Sequence, residues 1–165
     1  MRNIFRNLRY DTPLFLVLTF MNFFPDNVLI LRFRGFLASF FIKKCGRNFR
    51  LGRDVTLYNS SMIEIGNNVY IAKGNWFSAG SKITVEDSVM FGPYNVIASA
   101  NHSLKDNSYR YGETIKKPIL VGKGSWITSH CTITAGTTIG ISCLIEPNSR
   151  VRGSIPDNSR YTSLQ

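Results

Sequence analysis

Residues 121–151 read VGKGSWITSHCTITAGTTIGISCLIEPNSRV, and an apolar residue returns at every sixth position: Val121, Ile127, Ile133, Ile139, Ile145 and Val151. Toward the N-terminus the period continues through Val85, Phe91 and Ile97, then Ile65, Ile71 and Phe77, then Cys45, Leu51 and Leu57. Two extra residues (Ile63-Glu64 and Ile83-Thr84) separate these sets, and an 18-residue insertion, Ser103–Leu120, precedes Val121. All fifteen anchors are apolar in a chain that is 44% hydrophobic. Chance would give this on the order of once in 10⁵ trials before the placement of insertions is allowed for.

A second rule supports the register. Four places after an anchor stands a small or β-branched residue: Val55, Ser61, Val69, Ser81, Val89, Ser125, Cys131, Thr137, Cys143 and Ser149. Gly often follows the anchor, as at Gly46, Gly52, Gly66, Gly92, Gly122 and Gly140. Six is the period of neither a helix nor a simple strand. Three hexapeptides per turn make a triangular coil with a short strand on each edge and a tight turn at each corner. Five such coils, stacked at strand spacing, give a prism roughly 20–25 Å tall. Every insertion falls after the third hexapeptide of a coil, so all of them belong to one edge of the prism, where a solenoid commonly carries its working loops.

The N-terminal third is different. Thr12-Pro13 reads as a helix start, Pro25 as its stop, and Asp26 as the N-cap of a second helix running to about Lys44. Phe33, Phe36, Leu37, Phe40 and Phe41 form an aromatic stripe at helical spacing, beside Arg32, Arg34, Lys43 and Lys44. Two readings stay open and are compatible on different faces: a cap over the first coil, or an interfacial segment on an anionic membrane surface. The domain reading is therefore a basic helical segment over 1–44, a β-helix over 45–156 with loop 103–120, and a short tail over 157–165.

Charge agrees with this division. The net charge is +10, but residues 1–53 hold 10 Lys/Arg against Asp11 and Asp26, and residues 54–165 hold 10 against 8, so +8 lies in the first third. Leu14–Phe24 is about half of what a bilayer span requires, and it is only loosely like a signal peptide. Cys45, Cys131 and Cys143 have no metal-ligand spacing and read as buried thiols in a reducing compartment.

Hexapeptide coils with one long excursion resemble the hexapeptide-repeat acyltransferases, notably the galactoside, maltose and surface-polysaccharide O-acetyltransferases. The matching elements are Asn101-His102 before the long loop, Lys117-Pro118-Ile119-Leu120-Val121-Gly122 on re-entry, Ser125-Trp126-Ile127, Ala135-Gly136-Thr137-Thr138-Ile139-Gly140, and Ile155-Pro156-Asp157. They span about residues 45–160. The basic aromatic segment leading into Lys44-Cys45-Gly46 is similar to the capsule and exopolysaccharide branch. The resemblance, and not the period, implies a mainly β, left-handed parallel β-helix assembled as a homotrimer, with acetyl-CoA as co-substrate and no metal. Three places depart from the family pattern: Thr128 stands for a usual Gly, Glu146-Pro147-Asn148-Ser149 for Gly-Ala-Gly-Ser, and Arg160–Gln165 for a basic Ala-Gly-Val-Pro-Ala-Lys run.

Acetyl transfer to a hydroxyl needs a base, and imidazoles titrate near neutral pH. Of two histidines, His102 abuts the only long loop and is the expected catalytic base; His130, three places after an anchor, faces outward and reads as structural. Asn101 falls at an inward small-residue position, as do Asn75 and Asn95, which read equally as an internal amide stack or as part of a site. Asn101, Asp106, Arg110 and Glu113 are the candidate acceptor contacts, with Tyr109 and Tyr111 nearby; a solvated loop is the alternative. The resemblance implies that Trp126 packs beside the acyl channel and that Ser129, Pro147 and Arg152 line CoA.

The resulting expectation is an acetyl-CoA-dependent O-acetyltransferase acting on a sugar hydroxyl of a surface polysaccharide or its precursor, located in the cytoplasm or at the inner membrane surface. The alternative is an N-acyltransferase acting on a nucleotide-linked amino sugar, which would use the same coil and base. A zinc hydratase on this coil needs three His ligands and the chain has two. An ice-binding solenoid would show ranks of Thr-x-Thr and no long loop. Nucleic acid is not an expected partner, because the basic segment is apolar and aromatic.

Overall fold

The structure, a computed structural model, describes residues 2–163. From Lys44 onward the chain winds as a parallel solenoid with three faces. The first face stacks Lys44–Cys45, Ile63–Ile65, Ile83–Val85, Ile119–Val121, Thr138–Ile139 and Ser154–Ile155. The second stacks Arg50–Leu51, Tyr70–Ile71, Met90–Phe91, Trp126–Ile127, Leu144–Ile145 and Arg160–Tyr161. The third holds Thr56–Tyr58, Trp76–Ser78, Val96–Ala98, Thr132–Ile133 and Arg150–Val151. Backbone hydrogen bonds run along the prism axis from coil to coil, as in Gly46 N to Ile65 O (2.9 Å), Gly66 N to Val85 O (2.8 Å) and Gly122 N to Ile139 O (2.8 Å).

The six-residue period has a plain physical origin. Anchors line up on the axis, and fourteen of the fifteen are buried. Cys45, in the terminal coil, is half-buried. Three places after an anchor the chain turns a corner in the left-handed region. Asn48, Asp54, Asn68, Ser88, Tyr94, His130, Ser142, Asn148 and Asn158 do so with φ between +55° and +60°. Such residues are mostly Asn, Asp or Gly because a short polar side chain, or none, tolerates this conformation. Gly74 is required for a second reason: a Cβ there would lie 2.4 Å from the Tyr94 ring in the coil above.

The structure corrects the expected coil limits. The count is six rather than five, because Ser154–Ile155 and Arg160–Tyr161 pair onto the fifth coil. The two-residue inserts are not loops. Ile63 and Ile83 face inward, in register with each other and with Ile119, and all three are buried. They widen the prism at the edge between the third and first faces. The excursion runs from Ala100 to about Lys117 rather than from 103 to 120, since Ile119 and Leu120 are already back in the first face.

The helical segment also differs from expectation. The chain is helical before Thr12, with α1 (Arg2–Arg6) and a π-helical turn (Asn7–Asp11) leading into α2 (Thr12–Met21). The second long helix, α3 (Val28–Ser39), is capped by Asn27 and not Asp26: the Asn27 side chain accepts from Ile30 N at 3.0 Å. It ends at Ser39, leaving Lys44 free to start the first strand. Leu14, Leu18 and Ala38 join the core of the first coil, with Phe49, Leu51, Val55 and Leu57. Gly35 lies against the Phe49 carbonyl, where a Cβ would come to 2.0 Å of the oxygen. Of the aromatic stripe, Phe33, Phe36 and Phe40 point to solvent, whereas Phe41 packs against the core.

Asp26 has another task. The guanidinium of Arg34, fully buried, donates to Asp26 Oδ1 (2.7 Å), Leu51 O (2.8 Å), Met21 O (3.1 Å) and Phe24 O (3.1 Å). One side chain thus ties the turn between the helices to the second face of the prism. Arg34→Ala would remove the guanidinium from three carbonyls and from Asp26, leaving that carboxylate only its bonds from Arg53 N, and should cost about 3–5 kcal/mol. At about 2–4 °C per kcal/mol for a domain of this size, calorimetry should show melting lowered by roughly 10 °C, with the solenoid's circular dichroism retained below it.

Candidate functional site

The long excursion is a β-hairpin. Ala100–His102 pairs antiparallel with Thr114–Lys116, in the register Ala100 to Lys116, Asn101 to Ile115 and His102 to Thr114. Ser103 N donates to Glu113 O at 2.9 Å, and Lys117 N to Ser99 O at 3.1 Å closes the base on the wall. At the tip, Lys105 and Ser108 exchange backbone hydrogen bonds of 3.0 and 2.8 Å around Asp106 (φ +50°) and Asn107 (φ +59°). This is the two-residue turn whose twist suits a hairpin.

The register decides which side chains share a side. Directly opposed residues in an antiparallel pair project together, so His102 and Thr114 stand on one side with Ala100 and Lys116, and Asn101 and Ile115 on the other. This overturns the inward position expected for Asn101. The chain leaves the coil two residues earlier, Asn101 is exposed, and Ser99 takes the buried place, donating its hydroxyl to Ser81 O at 2.8 Å. His102 is exposed, and its imidazole makes no hydrogen bond to any described residue. Asp106 at the tip lies up to about 13 Å further along the strand, at about 3.3 Å per residue. Arg110 leans toward Tyr111, with 5.9 Å from guanidinium carbon to ring centre, and Glu113 is exposed.

The residues expected on CoA lie on other parts of the prism. Trp126 projects from the second face and is 45% exposed, with Met90 and Leu144 as its neighbours in register. Ser129 and Pro147 sit one above the other at the corner of the second and third faces, where Ser129 O accepts from Asn148 N at 3.0 Å. That carbonyl is committed to the wall. Arg152 is exposed at the edge between the third and first faces, the edge that carries His102. The third face therefore separates His102 from Trp126 within one chain.

Two residues that stood between readings are structural. Asn75 Nδ2 donates to Ala72 O (2.7 Å) and Gly92 O (2.8 Å), and Asn75 Oδ1 accepts from Asn95 N at 3.2 Å. Asn95 Nδ2 donates to Gly92 O (2.8 Å) and Thr128 O (3.0 Å), and Asn95 Oδ1 accepts from Cys131 N at 2.8 Å. Both are fully buried, so they are the internal amide stack. His130 stacks on Tyr94 at 5.5 Å, with its backbone in the left-handed corner. Thr128 turns its hydroxyl into the wall, donating to Ile145 O at 2.7 Å.

One feature was missed in the sequence. The residue just before each anchor points outward, and on the second face that row reads Arg50, Tyr70, Met90, Trp126, Leu144, Arg160. Its four central members are apolar or aromatic. The third face adds Trp76 and Val96, both exposed, beside Thr56, Thr132 and Arg150, whereas the first face carries Lys44, Glu64, Thr84, Leu120, Thr138 and Ser154, with one apolar member in six. Apolar residues at the position before the anchor were the available signal. Asn48, Arg50, Tyr70, Met90 and Trp126 line a depression of about 370 Å³ at the edge of the first and second faces. Among the described residues, no three His, Cys, Asp or Glu gather as metal ligands.

No family model matches the chain. Galactoside O-acetyltransferase of Escherichia coli is 30% identical over 113 residues, covering 68% of this chain and 56% of that enzyme. The chain spans roughly two-fifths to three-fifths of the length of the first curated relatives it matches. A solved galactoside acetyltransferase in complex with coenzyme A superposes with a TM-score of 0.78 at 27% identity, over 93% of this chain and 74% of that one. A hexapeptide-repeat acetyltransferase of Vibrio cholerae complexed with acetyl coenzyme A gives 0.77 at 25% identity, over 88% and 78%. The chain resembles the hexapeptide-repeat acetyltransferases in both sequence and fold.

Thiols are among the other candidate nucleophiles, and their surroundings speak against that role. Burial pushes the Cys45 thiol up to about 12. Burial also raises Cys131, whose Sγ donates to Glu146 O at 3.2 Å, and Cys143 is buried with its Sγ on Pro156 O at 3.0 Å. A thiol held protonated and covered is a poor nucleophile. Iodoacetamide at mildly alkaline pH should leave all three unmodified in the folded protein and label all three in urea, as read by intact mass. Because the folded Cys45 value lies above its ordinary 9.0, the stability it adds is present below about pH 9 and should be lost as pH rises toward 12.

Proposed function

We propose that this chain, with the sequence repeat and fold of the hexapeptide-repeat acetyltransferases, transfers the acetyl group of acetyl-CoA to a sugar hydroxyl, with His102 as general base. The observation that carries the reading is the placement of His102. It is the one histidine that stands clear of the wall, on a rigid hairpin at the single edge where the solenoid admits insertions. His102 would accept the hydroxyl proton as the oxygen attacks the thioester carbonyl, and return it to the departing CoA thiolate. A general base is normally held by a second group, and no described residue of the same chain holds this imidazole.

A trimer supplies what one chain lacks. The second and third faces carry exposed aromatic and aliphatic residues that a solvated wall would not need. Packing the second face of one copy against the third face of the next is a heterologous contact that closes as a ring of three. It sets the hairpin edge of one copy beside the Trp126 edge of its neighbour. Acetyl-CoA would lie in that seam, its apolar arm along Met90, Trp126 and Leu144. Arg152, standing on the same edge as His102, is the cation proposed for its phosphates. Asn101, Asp106, Arg110 and Glu113 are proposed acceptor contacts from the hairpin, with Asn101 on the side away from His102. The acceptor class supported by the relatives is a sugar, and a surface polysaccharide or its precursor is the reading we favour.

Three measurements test this. His102→Ala should lower the rate constant for acetyl transfer by about 10²–10⁴-fold and leave acetyl-CoA affinity nearly unchanged, whereas His130→Ala should retain turnover. The reverse pattern would reject the assignment. Thiol release followed over sugars, lipid-linked glycans and nucleotide-linked amino sugars separates the O-acetyl reading from the N-acyl alternative. Sedimentation equilibrium should give three times the mass of one chain. A stable monomer that still transfers acetyl groups would overturn the shared seam.

A further inference from the structure

The cap is apolar on both of its faces. The inner one is explained: Leu14, Leu18, Met21 and Ala38 cover the open end of the first coil. A terminal cap keeps a solenoid soluble by turning a polar face outward. Here the outward side instead shows Phe20, Phe23, Leu29, Phe33 and Phe36, each at least half exposed and reaching 81% at Phe23. A patch of this kind marks a surface that something else covers.

Charge says what covers it. Both acidic residues of the segment are turned into the prism. Asp11 accepts from Ser60 N at 2.9 Å, and Asp26 accepts from Arg34 and, at 3.1 Å, from Arg53 N. Cations remain around the rim: Arg9 lies over the Tyr10 ring at 5.1 Å, with Arg32 and Lys43 exposed nearby. From this rim of cations around exposed aromatic rings we infer that the outer face of the helical cap docks on an anionic lipid bilayer, rings at the acyl boundary and cations among the headgroups. Residues 1–43 hold six Lys/Arg against Asp11 and Asp26, a net of +4, and this opposes the other occupant, a second copy meeting cap to cap. No helix among the described residues is long and apolar enough to cross a membrane, so the geometry is that of a surface-lying element. The inference rests on the cap alone and not on the chemistry proposed for the hairpin.

The test uses the full chain in flotation with phosphatidylcholine vesicles and with mixed phosphatidylcholine–phosphatidylglycerol vesicles. The chain should float with the mixed vesicles, and floating should fall away near 1 M salt, where the screening length is only about 3 Å. Arg32→Gln and Lys43→Gln should each weaken partition about fivefold, and Phe23→Ser and Phe33→Ser about tenfold each. Both rings are solvent-exposed, and unchanged melting would show the variants folded; were one to misfold, the wild-type comparison of vesicles and salt still decides. Equal binding to both vesicle types, or wild-type binding by the Phe variants, would overturn the inference. So would reversible cap-to-cap association that the Phe variants abolish without any vesicle binding.

Discussion

A parallel coil satisfies its backbone through the coils above and below it, and this makes the two ends of the stack its weak points. Within the prism each strand has a partner on both sides, and anchors on successive coils bury one another. The first coil has a partner on one side only. Its open end exposes Leu51, Val55 and Leu57 to whatever lies beyond. The helical pair answers this with Leu14, Leu18 and Ala38, and Arg34 fixes its angle by reaching Leu51 O and the carbonyls that end α2. Asp26 neutralises that buried cation and also accepts from Arg53 N. Cap and prism are therefore one folding unit.

The same axial hydrogen bonding dictates where function can be added. Two of the three edges turn through a left-handed residue in almost every coil, which leaves no slack for an insertion without breaking the stack. The edge between the third and first faces turns differently. It absorbs Ile63 and Ile83 as extra inward residues in the second and third coils, then the hairpin, and nothing in the fifth. His102 is thus placed by topology and not by local propensity: it stands at the point where the chain leaves the wall, and the antiparallel register fixes the side on which it projects.

Much of this was legible because the sequence signals were repeated. Fifteen anchors and ten small residues speak for the same register, so an exception such as half-buried Cys45 does no harm. Single-copy features were read less well. Asp26 reads as an N-cap, but capping chemistry is shared by Asn27 beside it, which caps Ile30 N, while the buried Arg34 eight residues on claims Asp26. Asn101 was placed inward by counting from Ile97, and counting fails where the chain departs from the coil. The aromatic stripe on α3 is compatible with a cap interface and with a membrane surface, and spacing does not choose between them. The residues that fit at the cap interface are small, Gly35 and Ala38, because the helix backbone lies directly on the Phe49 carbonyl. The outward rows are the residues one place before the anchors, and their apolar character carries no period of its own to set them apart.

Those outward residues divide the surface into two kinds of apolar patch, and charge separates their uses. The rows on the second and third faces are flanked by Arg50, Arg150 and Arg160 and by Arg53, Asp54 and Lys73 at the corner between them; Arg53 and Lys73 pair with Asp54, and Arg160 with Glu146. The second face of one copy can approach the third face of another at little electrostatic cost. The cap cannot, because its rings are surrounded by uncompensated cations and its two carboxylates are turned inward. The two patches also lie at right angles, one along the prism axis and the other across its end. A ring of three copies joined along their sides would carry its three caps in one plane. His102 closes the third coil, so it stands about 10–15 Å above the first coil at about 4.8 Å per coil. A helix layer about 10 Å thick lies below that. The hairpin would then be held roughly 20–25 Å clear of any surface on which the caps rest. At that height it meets groups that extend outward from such a surface and not those lying in it.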